Sequence, residues 1–353
     1  MSCRPFFLGV FLAVALAASG NAQTPSYMKK YGVIGQRGSL PKGYFLYVDF
    51  VGKTIMKMNL QSGEPSAIPN TNDVSTHSTS WLRISPDGNW VLYKSKSLTL
   101  IRIDGTGKTV VNDGSSNIYG SQYGFVHNGP NGLEIFYWRD NSDNHTWALK
   151  VDLSGKNAVF GAKRIILSSL HWGDDDDYRR QTFVAKNHIY GSGPRWITIP
   201  NNGMGTATSG DTWSYSNPGR TSCGHAMSWD GSLVTENPAP PRNIPCIPAN
   251  GMHVGPVIMP FFEKGSPAID RVDLWLTKAV SINFCPEEYY ADGKHDYHEW
   301  NWTNHREYLT CREWISGASP WDPKGVWILH WPTNTWTLMT RPGGHTTAAY
   351  ILP

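Results

Sequence analysis

WLRISPDGNWVLY, residues 81–93, reads as two short strands folded about one turn. Leu82 and Ile84 flank Arg83 before the turn, and Trp90 and Leu92 follow it, so apolar positions recur with the period of two that a strand requires. Between them, Pro86 fixes φ at the first turn position and Gly88 accepts the positive φ that side chains resist. The stretch therefore predicts a β-hairpin with Ser85-Pro86-Asp87-Gly88 as its reversal.

The same shape returns as HAMSWDGSLVTE at His225–Glu236 and more loosely as EWNWTNHREYL at Glu299–Leu309, where Asn304-His305 replaces Asp-Gly. A second kind of hairpin follows at Thr54–Ile68, Leu98–Val111, Thr146–Phe160 and Gly325–Thr340. Two hairpins in succession make a four-stranded meander, and meanders spaced by roughly 40 to 50 residues are the pattern of a propeller. Helical periodicity is almost absent. The expected fold is therefore an all-β β-propeller of four-stranded blades, with a β-sandwich as the alternative. Blades are expected at 43–70, 79–113, 120–168, 181–215, 222–262 and 295–341. Six is the preferred number, and seven stays open because Asp270–Phe284 holds another strand pair. The segment His345–Leu352 reads as a final strand that pairs with the N-terminal blade and removes its open edge.

The ISPDGNWVLY segment resembles the repeat of TolB-type propellers, whose blades carry a Ser-Pro-Asp-Gly turn. The resemblance is clear at 81–93, partial at 225–236, and covers about a third of the chain. It implies fold and leaves chemistry open, since binding proteins, peptidases and lyases share this blade type. No Gly-x-Ser-x-Gly elbow supports a peptidase.

Arg4, the apolar run Phe6–Ala18 and the small residues up to Ala22 have the layout of a cleavable secretory signal, so residues 1–22 are expected to be removed. Residues 23–42 then form an extension ahead of a single propeller domain, 43–353. No later segment approaches the roughly 20 apolar residues of a spanning helix. The expected location is extracellular or periplasmic. Loss of Arg4 takes the formal charge from +3 to +2, too small and too scattered to argue for nucleic acid. Export also favours disulfides for Cys223, Cys246, Cys285 and Cys311. Local pairing, Cys223 with Cys246 and Cys285 with Cys311, is the simplest of the three connectivities.

Asp292–His305, DGKHDYHEWNWTNH, is the richest polar stretch. Imidazoles and carboxylates in a loop suit zinc, manganese or iron, which makes His295, His298 and His305 candidate ligands; the carboxylates of LHWGDDDDYRR at 170–180 suit calcium, though their spacing lacks the alternation of an EF-hand. Asn144 and Asn301 begin N-glycosylation sequons. Aromatic side chains near loops, Trp172, Trp213, Tyr215, Trp300 and Trp302, are the ring faces a sugar site stacks on, or else the wedges between blades.

Three readings follow. The first is a secreted propeller that binds a glycan or cell-surface polymer through those aromatics. The second is a polysaccharide lyase acting on uronates, an activity that resembles the propeller lyases at fold level only. There Arg195 or Arg242 would neutralise the carboxylate, with His225, His298 or Tyr297 as base. The third is a structural subunit that associates with its own copies through terminal strands, Pro25–Leu40 and His345–Pro353.

Overall fold

The computed structural model describes residues 28–29, 32–49, 51–75, 81–113, 123–126, 132–138, 145–167, 183–185, 188–190, 195–198, 207–209, 226–229, 233–236, 257–260, 281–283, 295–315, 325–340 and 347–353. Their strands form six sheets, each built on an antiparallel four-stranded meander. No α-helix occurs among these residues, and none is long and apolar enough to cross a membrane.

Blade 2 shows how sequence makes the unit. Arg83–Ile84, Trp90–Lys94, Leu98–Arg102 and Thr109–Val110 lie side by side in chain order. The Ser85–Gly88 reversal closes with the Gly88 N–H donating to the Ser85 carbonyl at 2.9 Å, and Gly88 sits at φ +73°. Side chains reinforce it. The Ser85 hydroxyl donates to Asp87, which also accepts from the Asn89 backbone and amide, and the Trp90 N–H donates back to Ser85 Oγ. Thr303 stands in the equivalent place in blade 6: its N–H donates to the Tyr308 carbonyl, as the Ser85 N–H does to that of Trp90.

The other blades follow the same order. Blade 3 is Tyr123–Val126, Glu134–Trp138, Thr146–Asp152 and Val159–Leu167; blade 4 is Phe183–Ala185, His188–Tyr190, Arg195–Thr198 and Ala207–Ser209. Blade 5 is Ala226–Met227, Leu233–Glu236, Val257–Pro260 and Ser281–Asn283. Its last strand lies within the segment that left a seventh blade open, and here it is the fourth strand of blade 5. Blade 6 is His295–Trp302, Tyr308–Ile315, Gly325–His330 and Thr335–Thr340. The first strands of successive sheets touch one another in a cycle.

Blade 1 closes the ring. Its outer strands Gly43–Asp49, Thr54–Asn59 and Pro65–Ala67 come from near the start of the chain, and its innermost strand, Thr347–Ile351, comes from the end. The final segment thus pairs where the sequence predicts, with Gly43–Asp49. Both terminal segments expected to reach a neighbouring copy are instead paired within the chain: Met28–Lys29 joins blade 5 and Val33–Ile34 joins blade 6, each as a parallel fifth strand.

The core lies between blades. One cluster joins Trp81, Trp90 and Leu100 of blade 2 to Tyr123, Phe125 and Leu149 of blade 3. Another joins Phe45, Met58 and Ile351 of blade 1 to Val326, Ile328 and Met339 of blade 6.

Candidate functional site

The strand order defines two ends. At the lower end the first strand of a blade such as blade 2 turns into its second, as at Ser85–Gly88; at the upper end the chain passes to the next blade. Aromatic groups knit the lower end together. Tyr350 of blade 1 donates to the Pro86 carbonyl of blade 2 at 3.0 Å, and Tyr44 stacks on it with centroids 5.8 Å apart while donating to the Gly88 carbonyl. Trp229 of blade 5 packs on Tyr350 at 6.2 Å and donates its indole N–H to the Trp302 carbonyl of blade 6 at 3.2 Å. Blades 5, 6, 1 and 2 are therefore tied by one belt. Burial pushes the Tyr44 hydroxyl far above its ordinary range, with Tyr350 and Asp87 adding to the effect, so it stays a neutral donor.

Several of the sequence candidates fall toward the upper end by their strand positions. His295 opens the innermost strand of blade 6, and Arg195 opens the third strand of blade 4. Register places His298 opposite Arg312 and Tyr297 opposite Glu313. Arg312 and Glu313 are both buried, and Glu313 accepts from the Trp327 indole at 2.9 Å. These two residues were missed in the sequence because they sit in a strand with no motif; only the pairing register brings them beside His298 and Tyr297.

A second upper feature also escaped the sequence. In blade 2 Tyr93 donates to Asp73 at 3.1 Å, and Lys108 reaches the same carboxylate at 2.9 Å. In blade 3 Tyr137 donates to Asp113 at 2.6 Å, with Lys163 at 3.1 Å. Each triad fastens the segment entering a blade to that blade's own second strand and to its fourth, through Lys163 within that strand in blade 3 and Lys108 just ahead of it in blade 2. Lys163 also lies 4.7 Å from the Trp147 ring, and Arg83 lies 5.4 Å from that of Trp81. The Nε1 donors of Trp81 and Trp147 are buried without an acceptor. Burial, partly offset by Tyr123, lowers the Arg83 guanidinium to about 10.

Several expected site residues sit elsewhere than predicted. Trp300 and Trp302 are fully buried, and Trp300 meets Trp336 edge-on at 5.9 Å, so they fill the blade and offer no face to a sugar. His305 is exposed in the lower turn of blade 6, edge-on to Tyr308 at 5.5 Å. His295 starts the strand that ends at Trp302, so at about 3.3 Å per residue some 20 Å or more separates it from His305. The strand therefore sets His295 and His305 at opposite ends of blade 6, and among the described residues no group of three His, Cys, Asp or Glu could hold a metal. Cys311 is a free thiol, buried, and pushed well upward by that burial and by Glu313, so the expected bridge to Cys285 is not formed. Asn301 is buried and donates to the Thr347 carbonyl at 2.9 Å, which leaves no room for a glycan. Trp172, Trp213, Tyr215, His225, Arg242, Cys223, Cys246, Cys285, Asn144 and the signal segment lie outside the described residues, as do the side chains of Arg195, His295, Tyr297 and His298.

No family model matches the sequence, and no curated protein matches it. Among solved structures, TolB from Acinetobacter baumannii aligns at TM-score 0.46 and 11% identity, covering 90% of this chain and 68% of that one. The periplasmic gluconolactonase PpgL of Pseudomonas aeruginosa aligns at 0.41 and 8%, covering 84% and 82%. The propeller domain of Cps50 (Swd1) from Myceliophteria thermophila aligns at 0.37 and 10%, covering 86% and 84%. These likenesses concern fold alone. By its sheet order the chain is a β-propeller, and it resembles the TolB-type propellers.

Proposed function

We propose that the protein is an exported, six-bladed propeller that binds a glycan at its upper end. The observation that carries this reading is the contrast between the two ends. At the lower end aromatic side chains of blades 1 and 5 are spent on one another and on backbone carbonyls of blades 2 and 6. At the upper end Arg195 and His295 begin strands, and His298 stands opposite Arg312. Hydrogen-bond donors gathered at one end of a ring suit a ligand rich in oxygen acceptors. The cyclic contact of six innermost strands supports the blade count, and the leader-like residues 1–22 support export.

The test is a glycan array probed with the purified mature chain, repeated with Arg195→Ala and His298→Ala. Saturable binding weakened at least tenfold by either substitution, with unchanged melting, supports the reading. No binding to any glycan, or binding indifferent to both, overturns it.

The facing of His298 by Arg312 and of Tyr297 by Glu313 also favours the lyase reading, because β-elimination needs a cation at the uronate carboxylate and a base beside the neighbouring proton. Incubation with uronate polysaccharides, with and without EDTA, tests it. Growth of the ultraviolet absorbance of an unsaturated product, lost in His298→Ala, would make the protein an enzyme. A flat trace on every polymer leaves binding alone.

A further inference from the structure

We infer that residues 28–29 and 32–42 act as an outer latch that holds the ring shut across its one covalent discontinuity. Each pair of neighbouring blades is joined by the chain as it passes from one sheet to the next. The break falls inside blade 1, between Thr347–Ile351 and Gly43–Asp49, which belong to opposite ends of the sequence and meet only through antiparallel pairing over five residues. Opening the ring requires those two strands to part.

The N-terminal segment spans this break on the outside. From Gly43 it runs back along the rim, adding Val33–Ile34 to Thr335–Trp336 of blade 6 and Met28–Lys29 to Ile282–Asn283 of blade 5. The Val33 N–H donates to the Asn334 carbonyl at 2.9 Å and the Gly35 N–H to that of Trp336 at 2.8 Å. The fit leaves no space for side chains: a Cβ on Gly32 would run into the Trp336 indole, and one on Gly35 would come within 2.6 Å of Thr335 Cγ2. At its other end Leu40 is buried among blade 1 and blade 6 side chains, its carbonyl accepts from Gln61 at 3.2 Å, and the Lys42 carbonyl accepts from the Leu352 N–H at 2.9 Å. The outer strands of blade 1 are thus bound to blades 5 and 6 by a route independent of Thr347–Ile351. Parting the inner pair leaves the ring held by the latch, and releasing the latch leaves it held by the inner pair. Such double closure slows ring opening, since both must yield in one event.

Gly32→Val and Gly35→Val in the full chain test this by hydrogen exchange and unfolding kinetics. The expected result is faster exchange at 281–283 and 335–340, faster exchange also at 43–49 and 347–351, and unfolding accelerated several-fold. Acceleration confined to 28–42, with the unfolding rate unchanged, would overturn the inference. Should neither variant fold, the wild-type chain serves: in rising urea, amides of 33–35 and of 347–351 should lose protection in the same step. Loss of the first at lower urea, with the second untouched, would show a mere surface strand. A concentration-dependent dimer that exchanges these segments between copies would likewise overturn an intramolecular latch.

Discussion

Replacing Trp300 by alanine separates a tryptophan that packs from one that binds. Trp300 is fully buried on the innermost strand of blade 6, its ring edge-on to Trp336 at an interplanar angle of 72°. Truncating a buried tryptophan costs about 3–5 kcal/mol, a figure that includes the aromatic pair's own ~1 kcal/mol. For a cooperative unit the size of the expected domain, 43–353, ~2.1 cal/mol/K per residue gives an unfolding entropy of about 0.65 kcal/mol/K, and Tm should fall by roughly 5–8 °C. Trp331 is the control. It is only partly buried, and its indole donates to the Arg306 carbonyl at 2.8 Å, so Trp331→Ala should cost about 1 kcal/mol, or ~2 °C. Differential scanning calorimetry of both variants, beside glycan binding, makes the comparison. If Trp300→Ala melts within about 1 °C of the wild type while binding is lost, the ring lies at a ligand surface and the packing argument is wrong.

Glu134 is buried and accepts twice from Arg164, at 3.0 and 2.9 Å, whereas Arg164 keeps 19% side-chain exposure. Glu134→Gln should therefore cost about 2–4 kcal/mol in urea unfolding, and Glu134→Leu with Arg164→Met much less; equal losses would show that charge is not the issue. Cys311 should resist a thiol reagent in the native protein and be alkylated once unfolded without reductant, as peptide mass mapping would show; a Cys311 crosslink in that map would contradict the free thiol. Asp87 is held below the usual carboxylate range: burial pushes it up, but hydrogen bonds from Ser85 and Asn89 outweigh that. Its contribution is therefore present above the unfolded carboxylate pKa of about 4 and fades as pH falls through the lower folded value. The Tm gap between wild type and Asp87→Ala should then narrow from about pH 5 downward, and a pH-independent gap would remove the carboxylate from the turn's stability.

Local chemistry made the blades legible and could not do the same for the site. Ser85-Pro86-Asp87-Gly88 specifies its own turn through φ restraint and side-chain acceptors within five residues, so it can be read without knowing what surrounds it. The closing strand was readable for a similar reason, being a lone apolar run left after the last hairpin. Burial is a different kind of fact. Trp300 and Trp302 sit among Asn and His, as an exposed aromatic would, and only packing against Trp336 and the neighbouring blades hides them. A mixed polar stretch such as 292–305 reads as a loop, while Trp300, Trp302 and a bulge between His298 and Asn301 belong to a long inner strand. Once extended, it sends His295 and His305 to opposite ends of the ring.

The same geometry explains why the residues that do meet were invisible. Arg312 stands opposite His298, and Glu313 opposite Tyr297, through antiparallel register across a turn of unremarkable sequence. The Asp–Tyr–Lys triads of blades 2 and 3 recur because equivalent strands repeat in space, with Asp73, Tyr93 and Lys108 spread over 36 positions and Asp113, Tyr137 and Lys163 over 51. A linear motif search finds neither set, since the loops between members vary in length while the sheet spacing does not. In a propeller the strand register, rather than sequence proximity, brings polar groups together. Substitutions chosen by register, such as Arg312→Ala beside His298→Ala, therefore probe the upper end more directly than any chosen by motif.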